Sequence, residues 1–338
     1  MALDTGSFMG KKVLVIRFSS IGDIVLTTPV LRSLKSSGHS VHFLTKKTFA
    51  TILTANPNVD KVIVINRLVS EQIEVLKKEQ YDHIIDLHGN LRSLKVKFKL
   101  RASRSTFHKL NFQKWLLTRV KINILPKIHI VERYCKVLES LGLSCDRDGL
   151  DYFIPSQEKI EITQYIPAPQ KYICIALGAA HHTKQIPTEI LVPLIDIIPY
   201  PVILIGGPND SPKARSIISL TKHSHCISLC GQLSIHQSAS VIDQSIGIIT
   251  PDTGMMHIAA ALQKSLVAIW GNTVPEFGMY PYYGSRTSTK YISLENIISC
   301  RPCSKIGYVS CPKNHFKCMM LHQPIKIWNA MESLIPAD

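Results

Sequence analysis

Residues 17–29, RFSSIGDIVLTTP, carry a glycine and a carboxylate, Gly22 and Asp23, shortly after the apolar run KKVLVI. The pattern predicts a buried strand that is followed at once by a helix. A carboxylate in the first turn of a helix stays ionised, because the helix dipole lowers its pKa. Asp23 can therefore act as a general base on a substrate hydroxyl, for which Gly22 leaves room, or it can simply cap the helix.

Residues 250–271, TPDTGMMHIAAALQKSLVAIWG, predict a strand end followed by a helix that begins near Thr253 and Gly254. The first N–H groups of a helix have no partner within the helix and, together with the dipole, attract a phosphate. Asp252 or Thr253 can also cap this helix. His257 lies near its first turn, where it either faces a ligand or packs. The segment predicts an anion-binding site.

Two further strand ends carry groups suited to a nucleotide. In ALGAAHHTKQIPTE, residues 176–189, Lys184 is placed to reach a diphosphate, or it is an ordinary surface lysine. In ILIGGPND, residues 203–210, Gly206 and Gly207 allow a nucleoside to approach the backbone closely, and Asp210 can accept a hydrogen bond from a hydroxyl. A tight turn explains this second segment equally well.

The common nucleotide and hydrolase motifs are missing from the chain. It contains no GxGxxG, GxxxxGK[ST], GxSxG or HExxH. The missing glycine fingerprint argues against a nicotinamide-dependent oxidoreductase. We expect no cofactor and no catalytic metal.

The 338-residue chain has a formal net charge of +15, and its cations are concentrated in one stretch. Residues 87–131 contain eleven Lys and Arg and no Asp or Glu. Such a stretch indicates an anionic partner, which can be a phosphorylated substrate, a membrane surface or a nucleic acid. Candidate contact residues are Arg92, Lys95, Lys97 and Lys99. Charge alone also supports a non-catalytic nucleic-acid-binding protein, but no recognition motif accompanies it.

Four of the nine cysteines, Cys300, Cys303, Cys311 and Cys318, form a cluster in CRPCSKIGYVSCPKNHFKC. The first pair has zinc-ligand spacing and the second does not, so the cluster is either a structural metal site or a set of packing thiols. The start of the chain, MALDTGSFMGKK, does not resemble a signal peptide, so we expect a cytoplasmic protein without disulfides. Residues 191–207 are too often interrupted by Pro and Asp to span a membrane.

Apolar, β-branched runs alternate with helical patterns in both halves of the chain, which predicts βα units and parallel sheets. The strand candidates are KVLVIRF, SVHFLT, KVIVI and HIIDL in the first half, and YICIALG, PVILIGG, SIGIIT and SLVAIWG in the second. Between the halves, residues 142–170 lose periodicity and gather Pro, Gly and Asp, as a linker does. We therefore predict an N-terminal domain of residues 1–165 and a C-terminal domain of residues 166–338.

Taken in order, RFSSIGDIVLTTPVLRSLK, DLHGNLRS, the Lys184 segment, TPDTGMMHIAAAL, WGNTVP and the cysteine cluster resemble glycosyltransferase family 9, the lipopolysaccharide heptosyltransferases. The resemblance runs along nearly the whole chain. It implies a GT-B fold, in which two Rossmann-like domains face each other across a cleft, the N-terminal one holding the acceptor and the C-terminal one the donor. It further implies inverting, metal-independent transfer of a heptose or related sugar from a nucleotide-diphosphate sugar, expected to be ADP-heptose, to the inner core on lipid A.

The same resemblance assigns roles to individual residues. Asp23 matches the catalytic base, Lys184 the lysine that holds donor phosphate, and Asp252 the aspartate that contacts the donor sugar. His257 and the backbone of Thr253 and Gly254 match the same donor-binding segment. No DxD pair lies near the predicted donor site, which agrees with a metal-independent reaction.

The basic stretch is expected to hold the phosphates or acidic sugars of the acceptor, with peripheral contact to the anionic inner face of the cytoplasmic membrane. One departure from the family pattern concerns the donor. Ahead of Lys184 this chain carries Ala179, Ala180, His181 and His182 where relatives often have threonines, and it retains only Thr183. The identity of the donor sugar or base is therefore not fixed by the resemblance.

Overall fold

The computed structural model describes residues 10–166, 171–285 and 291–335, so most of the N-terminal segment considered for a signal peptide lies outside the described residues. The chain forms two compact units, Met1–Lys109 with Val131–Arg147, and Leu110–Ile130 with Asp148–Asp338. This division differs from the predicted boundary at residue 165. Residues 110–130 join the second unit because Leu117 packs against Val274 and Phe277.

The first unit contains a five-stranded parallel sheet in the order β3-β2-β1-β4-β5. The strands are β1 (Lys12–Ile16), β2 (Ser40–Lys46), β3 (Lys61–Ile65), β4 (His83–Asp86) and β5 (Ser103–Thr106). The helices up to residue 135 are α1 (Ile21–Val25), α2 (Thr28–Ser36), α3 (Ile73–Lys78), α4 (Leu91–Lys99), α5 (Asn111–Trp115) and α6 (Ile130–Cys135). Of these, α5 belongs to the second unit.

The second unit contains a six-stranded parallel sheet in the order β11-β10-β9-β6-β7-β8. The strands are β6 (Ile173–Ala176), β7 (Val202–Ile205), β8 (Cys226–Ser228), β9 (Gly247–Pro251), β10 (Leu266–Trp270) and β11 (Tyr291–Glu295). The remaining helices are α7 (Thr188–Ile197), α8 (Ser211–Leu220), α9 (Ile235–Gln244), α10 (Gly254–Ala261), α11 (Lys317–Met320) and α12 (Pro324–Glu332).

The central strands of both sheets are mostly apolar because helices cover both faces of a parallel sheet. β1 is buried at four of its five positions, and β6, β7 and β10 are buried at every position. Clusters of Ile, Leu and Val lie on each side of the second sheet. This packing fixes the strands firmly, so the loops at their carboxyl ends start from rigid positions.

Cysteine pairing differs from the sequence-based expectation at one position. Cys135 and Cys145 form a disulfide, with Cα atoms 5.6 Å apart. The chain reverses after α6 at Gly142, which has a φ of +72° and ends a 3₁₀ turn, and this reversal brings the two cysteines together. The expectation that the chain has no disulfide is therefore wrong at this pair. Among the described residues, no helix is both long and apolar enough to cross a membrane.

Candidate active site

In an open parallel sheet, ligands bind beyond the carboxyl ends of the strands, where the strand order reverses. In the first sheet this reversal lies between β1 and β4, because the chain proceeds from β1 to β2 and β3 and then returns to the other side of β1. Asp23 lies in α1, just after β1, and Asp86 ends β4. The predicted base therefore lies at the position where this sheet type binds ligands.

Asp23 is held by an ion pair and two hydrogen bonds. Its Oδ1 lies 2.6 Å from Nη2 of Arg17, and its Oδ2 accepts hydrogen bonds from the backbone N–H and the hydroxyl of Ser20, at 3.0 and 2.9 Å. Ser20 precedes α1, so Asp23 does help to cap the helix. The side chain is still 17% exposed, and Oδ1, whose one described partner is Arg17, keeps a second lone pair. Capping and proton acceptance are therefore compatible.

The electrostatic surroundings keep Asp23 ionised. Burial favours the neutral acid, but the Arg17 charge and the Ser20 hydrogen bonds outweigh it and hold the pKa of Asp23 below its usual range. Arg17 is itself fixed, because its Nη1 donates to the Leu87 carbonyl at 2.5 Å and to the Tyr134 hydroxyl at 3.0 Å. Burial lowers the pKa of Arg17, but nearby negative charge, chiefly that of Asp23, outweighs burial and leaves this pKa above its usual value. Sequence reasoning missed Arg17, although it opens the quoted motif.

His88 lies beside this pair and was also not singled out from the sequence. Its ring contacts the Phe18 ring edge-on, with centroids 4.9 Å apart, and its buried Nδ1 has no hydrogen-bond partner among the described residues. Burial, reinforced by Arg17, lowers the pKa of His88 to about 4, so the imidazole is neutral at pH 7. Oδ1 of Asp86 accepts the backbone N–H groups of His88 and Gly89 and so fixes this turn.

The four predicted acceptor cations lie on α4 but do not share one environment. Arg92, Lys95 and Lys99 are exposed, and the Arg92 guanidinium lies 5.7 Å from the centre of the Phe18 ring. Lys97 is buried, 2.8 Å from Asp86, and donates to the Thr106 hydroxyl. We therefore correct the prediction for Lys97, because its ammonium group is committed to an internal ion pair.

In the second sheet the strand order reverses between β6 and β9. Lys184 follows β6, and Asp252 follows β9. Their side chains meet there, with Nζ of Lys184 2.6 Å from Oδ2 of Asp252, and both are mostly buried. The same carboxylate oxygen accepts a hydrogen bond from the Thr273 hydroxyl at 2.8 Å. The structure thus brings together the two residues expected to contact the donor, and it adds Thr273 from the WGNT segment.

The start of α10 adjoins this pair. Thr253 occupies the N-cap position, but its side chain makes no capping hydrogen bond and instead lies 3.3 Å from the Thr250 hydroxyl. The first-turn N–H groups, beginning at Gly254, are thus not engaged by a capping side chain, as an anion site requires. His257 is buried within the same helix.

Asp210 is turned toward its own loop. Its Oδ2 accepts the backbone N–H of Gly207 at 2.8 Å, and a Cβ atom at Gly206 would lie only 2.8 Å from that oxygen. The side chain therefore secures the turn between β7 and α8. This geometry favours the turn interpretation of Gly206, Gly207 and Asp210, and direct contact of Asp210 with a nucleoside stays a prediction.

The cysteine-containing segment braces the Lys184 loop. The Tyr308 N–H donates to the Thr183 hydroxyl at 2.8 Å, and the Thr183 N–H donates to the Tyr308 carbonyl at 3.2 Å. A Cβ atom at Gly271 would lie 2.7 Å from the Thr183 carbonyl oxygen, so only glycine permits this close approach. Arg301 donates to the Thr273 carbonyl and so joins the segment to the site.

The clustered thiols are free. Cys300, Cys303 and Cys311 are half-buried, Cys318 is buried, and the Cys303 thiol donates to the Cys300 carbonyl at 3.1 Å. Burial raises the pKa of Cys318 to about 11. Within the part of the chain that the structure describes, no three His, Cys, Asp or Glu side chains are grouped as metal ligands.

Comparison with known proteins gives a consistent result. Residues 70–309, well over half of the chain, match the family model described as Glycosyltransferase family 9 (heptosyltransferase). The chain is 27% identical over 295 residues to lipooligosaccharide heptosyltransferase 2 of Haemophilus ducreyi. The match covers 79% of this chain and 85% of that protein.

Two solved structures are similar along nearly their whole length. The family 9 glycosyl transferase from Veillonella parvula matches with a TM-score of 0.79 at 21% sequence identity. The match covers 97% of this chain and 98% of the Veillonella chain. E. coli ADP-heptose LPS heptosyltransferase II has a TM-score of 0.71 at 20% identity and covers 96% and 98%. At these identities the likeness concerns the fold, and the predicted α/β architecture of two Rossmann-like units is confirmed.

Proposed function

Because the chain belongs to glycosyltransferase family 9, we propose that it transfers a heptose from ADP-heptose to the lipopolysaccharide inner core on lipid A. The chain is a glycosyltransferase on family grounds, so a non-catalytic nucleic-acid-binding protein is no longer needed to explain its charge. The heptose and the acceptor are proposed by analogy with the relatives, whose names state heptose transfer. A related sugar is the nearest alternative, since the loop before Lys184 departs from the family pattern.

The observation that carries the proposal is the Lys184–Asp252 pair at the strand-order reversal of the second sheet. A nucleoside diphosphate leaving group develops negative charge, which fixed cations and helix N-termini stabilise. Lys184 has three N–H donors, and one interaction with Asp252 leaves others for phosphate oxygens. The start of α10 adds backbone N–H groups. The second unit is therefore proposed as the donor-binding domain, and these groups take the place of a metal ion.

The first unit is proposed as the acceptor-binding domain, with Asp23 as the base. The acceptor hydroxyl is a poor nucleophile until a carboxylate within hydrogen-bond reach accepts its proton. Asp23 is ionised, retains an exposed edge and lies at the ligand-binding position of its sheet. Direct attack by the activated hydroxyl on the anomeric carbon gives inversion. Arg92, Lys95 and Lys99 are proposed to hold acceptor phosphates at the cytoplasmic face of an anionic membrane.

A donor screen tests this proposal. Purified protein is mixed with lipid A core acceptor and with ADP-, GDP- or UDP-linked sugars, and release of nucleoside diphosphate is measured with and without EDTA. We expect release from ADP-heptose that depends on the acceptor and persists in EDTA. Release from none of the three donor classes would refute the proposed function, whereas inhibition by EDTA would refute only the metal-independent mechanism.

A matched pair of variants tests the assignment of groups within the site. Lys184→Gln removes the cation from the Asp252 pair, and Lys264→Gln removes a lysine of the same unit whose Nζ donates to the Asp243 carbonyl. Only Lys184→Gln is expected to weaken binding of ADP-heptose. Equal effects of the two substitutions would show that general destabilisation, rather than a lost phosphate contact, is being measured.

A further inference from the structure

The acid-free stretch of residues 87–131 exposes apolar side chains as well as cations. Among the described residues, twenty large hydrophobic side chains are exposed, and eight of them lie in this stretch: Leu91, Leu94, Phe98, Phe112, Trp115, Val120, Ile122 and Ile124. Scattered exposed hydrophobic residues are normal, but a concentration within one short stretch marks an interaction site. The combination with eleven cations and no carboxylate restricts the chemistry of the partner.

Helix α4 shows how the two kinds of side chain are arranged. Leu91, Leu94 and Phe98 follow the spacing i, i+3, i+7 and share one face, with exposed fractions of 84%, 40% and 69%. Lys95 and Lys99 are exposed beside this apolar stripe. The opposite face carries Ser93, Val96 and Lys97, which are buried against the first unit. The inner face therefore anchors the helix in the first unit. Its outer face carries both apolar and cationic side chains and is exposed to solvent.

A cavity of about 640 Å³ opens next to this face, between the end of α3 and residues 98–102. Phe98 and Leu100 contribute apolar walls, and Lys99 and Arg101 contribute positive charge. Its third cation, Lys77, is paired with Glu74 at 2.8 Å, and none of the described residues that line the cavity carries a carboxylate. The cavity thus offers an apolar wall next to cations, which suits a phosphate group attached to a hydrocarbon chain.

We propose that the outer face of α4, defined by Leu91, Leu94, Phe98, Lys95 and Lys99, docks on an anionic lipid bilayer. The apolar stripe enters the boundary between headgroups and acyl chains, and the lysines contact lipid phosphates. The inference rests on the proposed function in one respect: docking would bring the enzyme to an acceptor that is anchored in the membrane by lipid A. A second copy of this chain is a poorer occupant, because two faces of equal positive charge repel each other.

Vesicle sedimentation without donor or acceptor tests the docking directly. The full chain is mixed with vesicles of phosphatidylcholine alone, or with an equal mixture of phosphatidylcholine and phosphatidylglycerol. Binding to the anionic vesicles is expected to fall as salt is raised, and binding to the neutral vesicles is expected to be much weaker. Equal binding to both would overturn the proposal, as would binding to neither.

Two double variants separate insertion from charge. Leu91→Ala with Phe98→Ala is expected to weaken binding to anionic vesicles by roughly tenfold, since two inserted side chains are lost. Lys95→Gln with Lys99→Gln is expected to weaken it by roughly fivefold per lysine and to flatten the salt dependence. The control is Ile297→Ala with Val309→Ala in the second unit, where Ile297 is 97% exposed and both lie outside the stretch.

Unchanged vesicle binding in both double variants would overturn the proposal, as would an equal loss in the Ile297 and Val309 control. Self-association of the wild-type chain that disappears in the Leu91 and Phe98 variant would instead assign the face to a second copy. Because no sugar transfer takes place in the vesicle assay, failure of docking and failure of the proposed enzymatic function are separate results. Thermal unfolding of each variant identifies any loss caused by misfolding.

Discussion

Replacing Arg17 with Met tests how the first unit prepares its carboxylate. Nη2 of Arg17 lies 2.6 Å from Asp23, and both side chains are mostly buried. Removing one member of a buried ion pair leaves an uncompensated charge and typically costs about 3–5 kcal/mol. The Leu87 carbonyl and the Tyr134 hydroxyl also lose a donor. We expect a loss in this range in the free energy of unfolding at pH 7, measured by denaturant titration.

The same variant is expected to change the pH dependence of turnover. In the wild type the pKa of Asp23 is lower in the folded protein than in the unfolded chain, where it is about 3.9. The ionised Asp23 therefore stabilises the folded protein above about pH 3.9, and this stabilisation is lost as the pH falls through the pKa of the folded state. Without Arg17, burial raises the pKa of Asp23. The acid limb of kcat, measured by release of nucleoside diphosphate, should therefore move from below about pH 4 to a higher pH.

The matched control is Arg32→Met, which breaks a two-point ion pair with Asp146 in the same unit, at 2.6 and 2.7 Å, away from Asp23. Asp146 is more exposed, so we expect a loss of about 1 kcal/mol or less and no shift of the acid limb. Adding Asp23→Asn to Arg17→Met should recover part of the lost stability, because the unpaired charge disappears. An unmoved acid limb in Arg17→Met, or full stability at pH 7, would show that Arg17 does not keep Asp23 ionised.

Three further results are expected. Lys184→Gln should weaken donor binding by roughly 10- to 100-fold in calorimetric titration, because a charge-assisted contact to phosphate is lost; unchanged affinity would remove Lys184 from the site. The free energy of unfolding of the wild type should fall by about 2 kcal/mol between pH 7 and pH 5, because the unfolded His88 binds a proton near pH 6.5 and the folded one only near pH 4. His88→Gln should remove this fall, and an unchanged pH profile of stability in the variant would contradict this. Lys97→Met should cost about 3–5 kcal/mol through the unpaired Asp86 and leave donor affinity intact, so a stable variant would show that this pair is not buried as described.

The sequence predicted the central strands and several helices because their apolar residues are periodic. The predicted strands β1, β2 and β3 contain KVLVI, SVHFLT and KVIVI. Helix α10 is formed by the first eight residues of the predicted helical segment GMMHIAAALQK. β5, with the sequence SRST, was missed because it is polar and mostly exposed at the sheet edge. β8 has only three residues, and no residue of β11 is buried, so neither gives a clear apolar pattern.

The candidate site could be predicted where a group follows directly on a strand or opens a helix. Asp23, Lys184 and Asp252 were proposed in this way and their roles stay predictions, whereas the partners that tune them were not proposed. Arg17 looks like a strand residue, and Thr273 like an ordinary loop residue, until the fold places them beside their carboxylates. Lys97 was misjudged because the run of cations hides which of them faces the interior. Contacts between distant segments are not encoded in local spacing.

Asp23→Asn tests directly whether the first unit supplies the base while the second unit binds the donor. Affinity for ADP-heptose is measured by titration calorimetry, and turnover by release of nucleoside diphosphate in the presence of acceptor. We predict donor affinity close to that of the wild type, with turnover reduced by at least about a hundredfold. An Asp23→Asn enzyme that turns over at the wild-type rate would show that Asp23 is not the base.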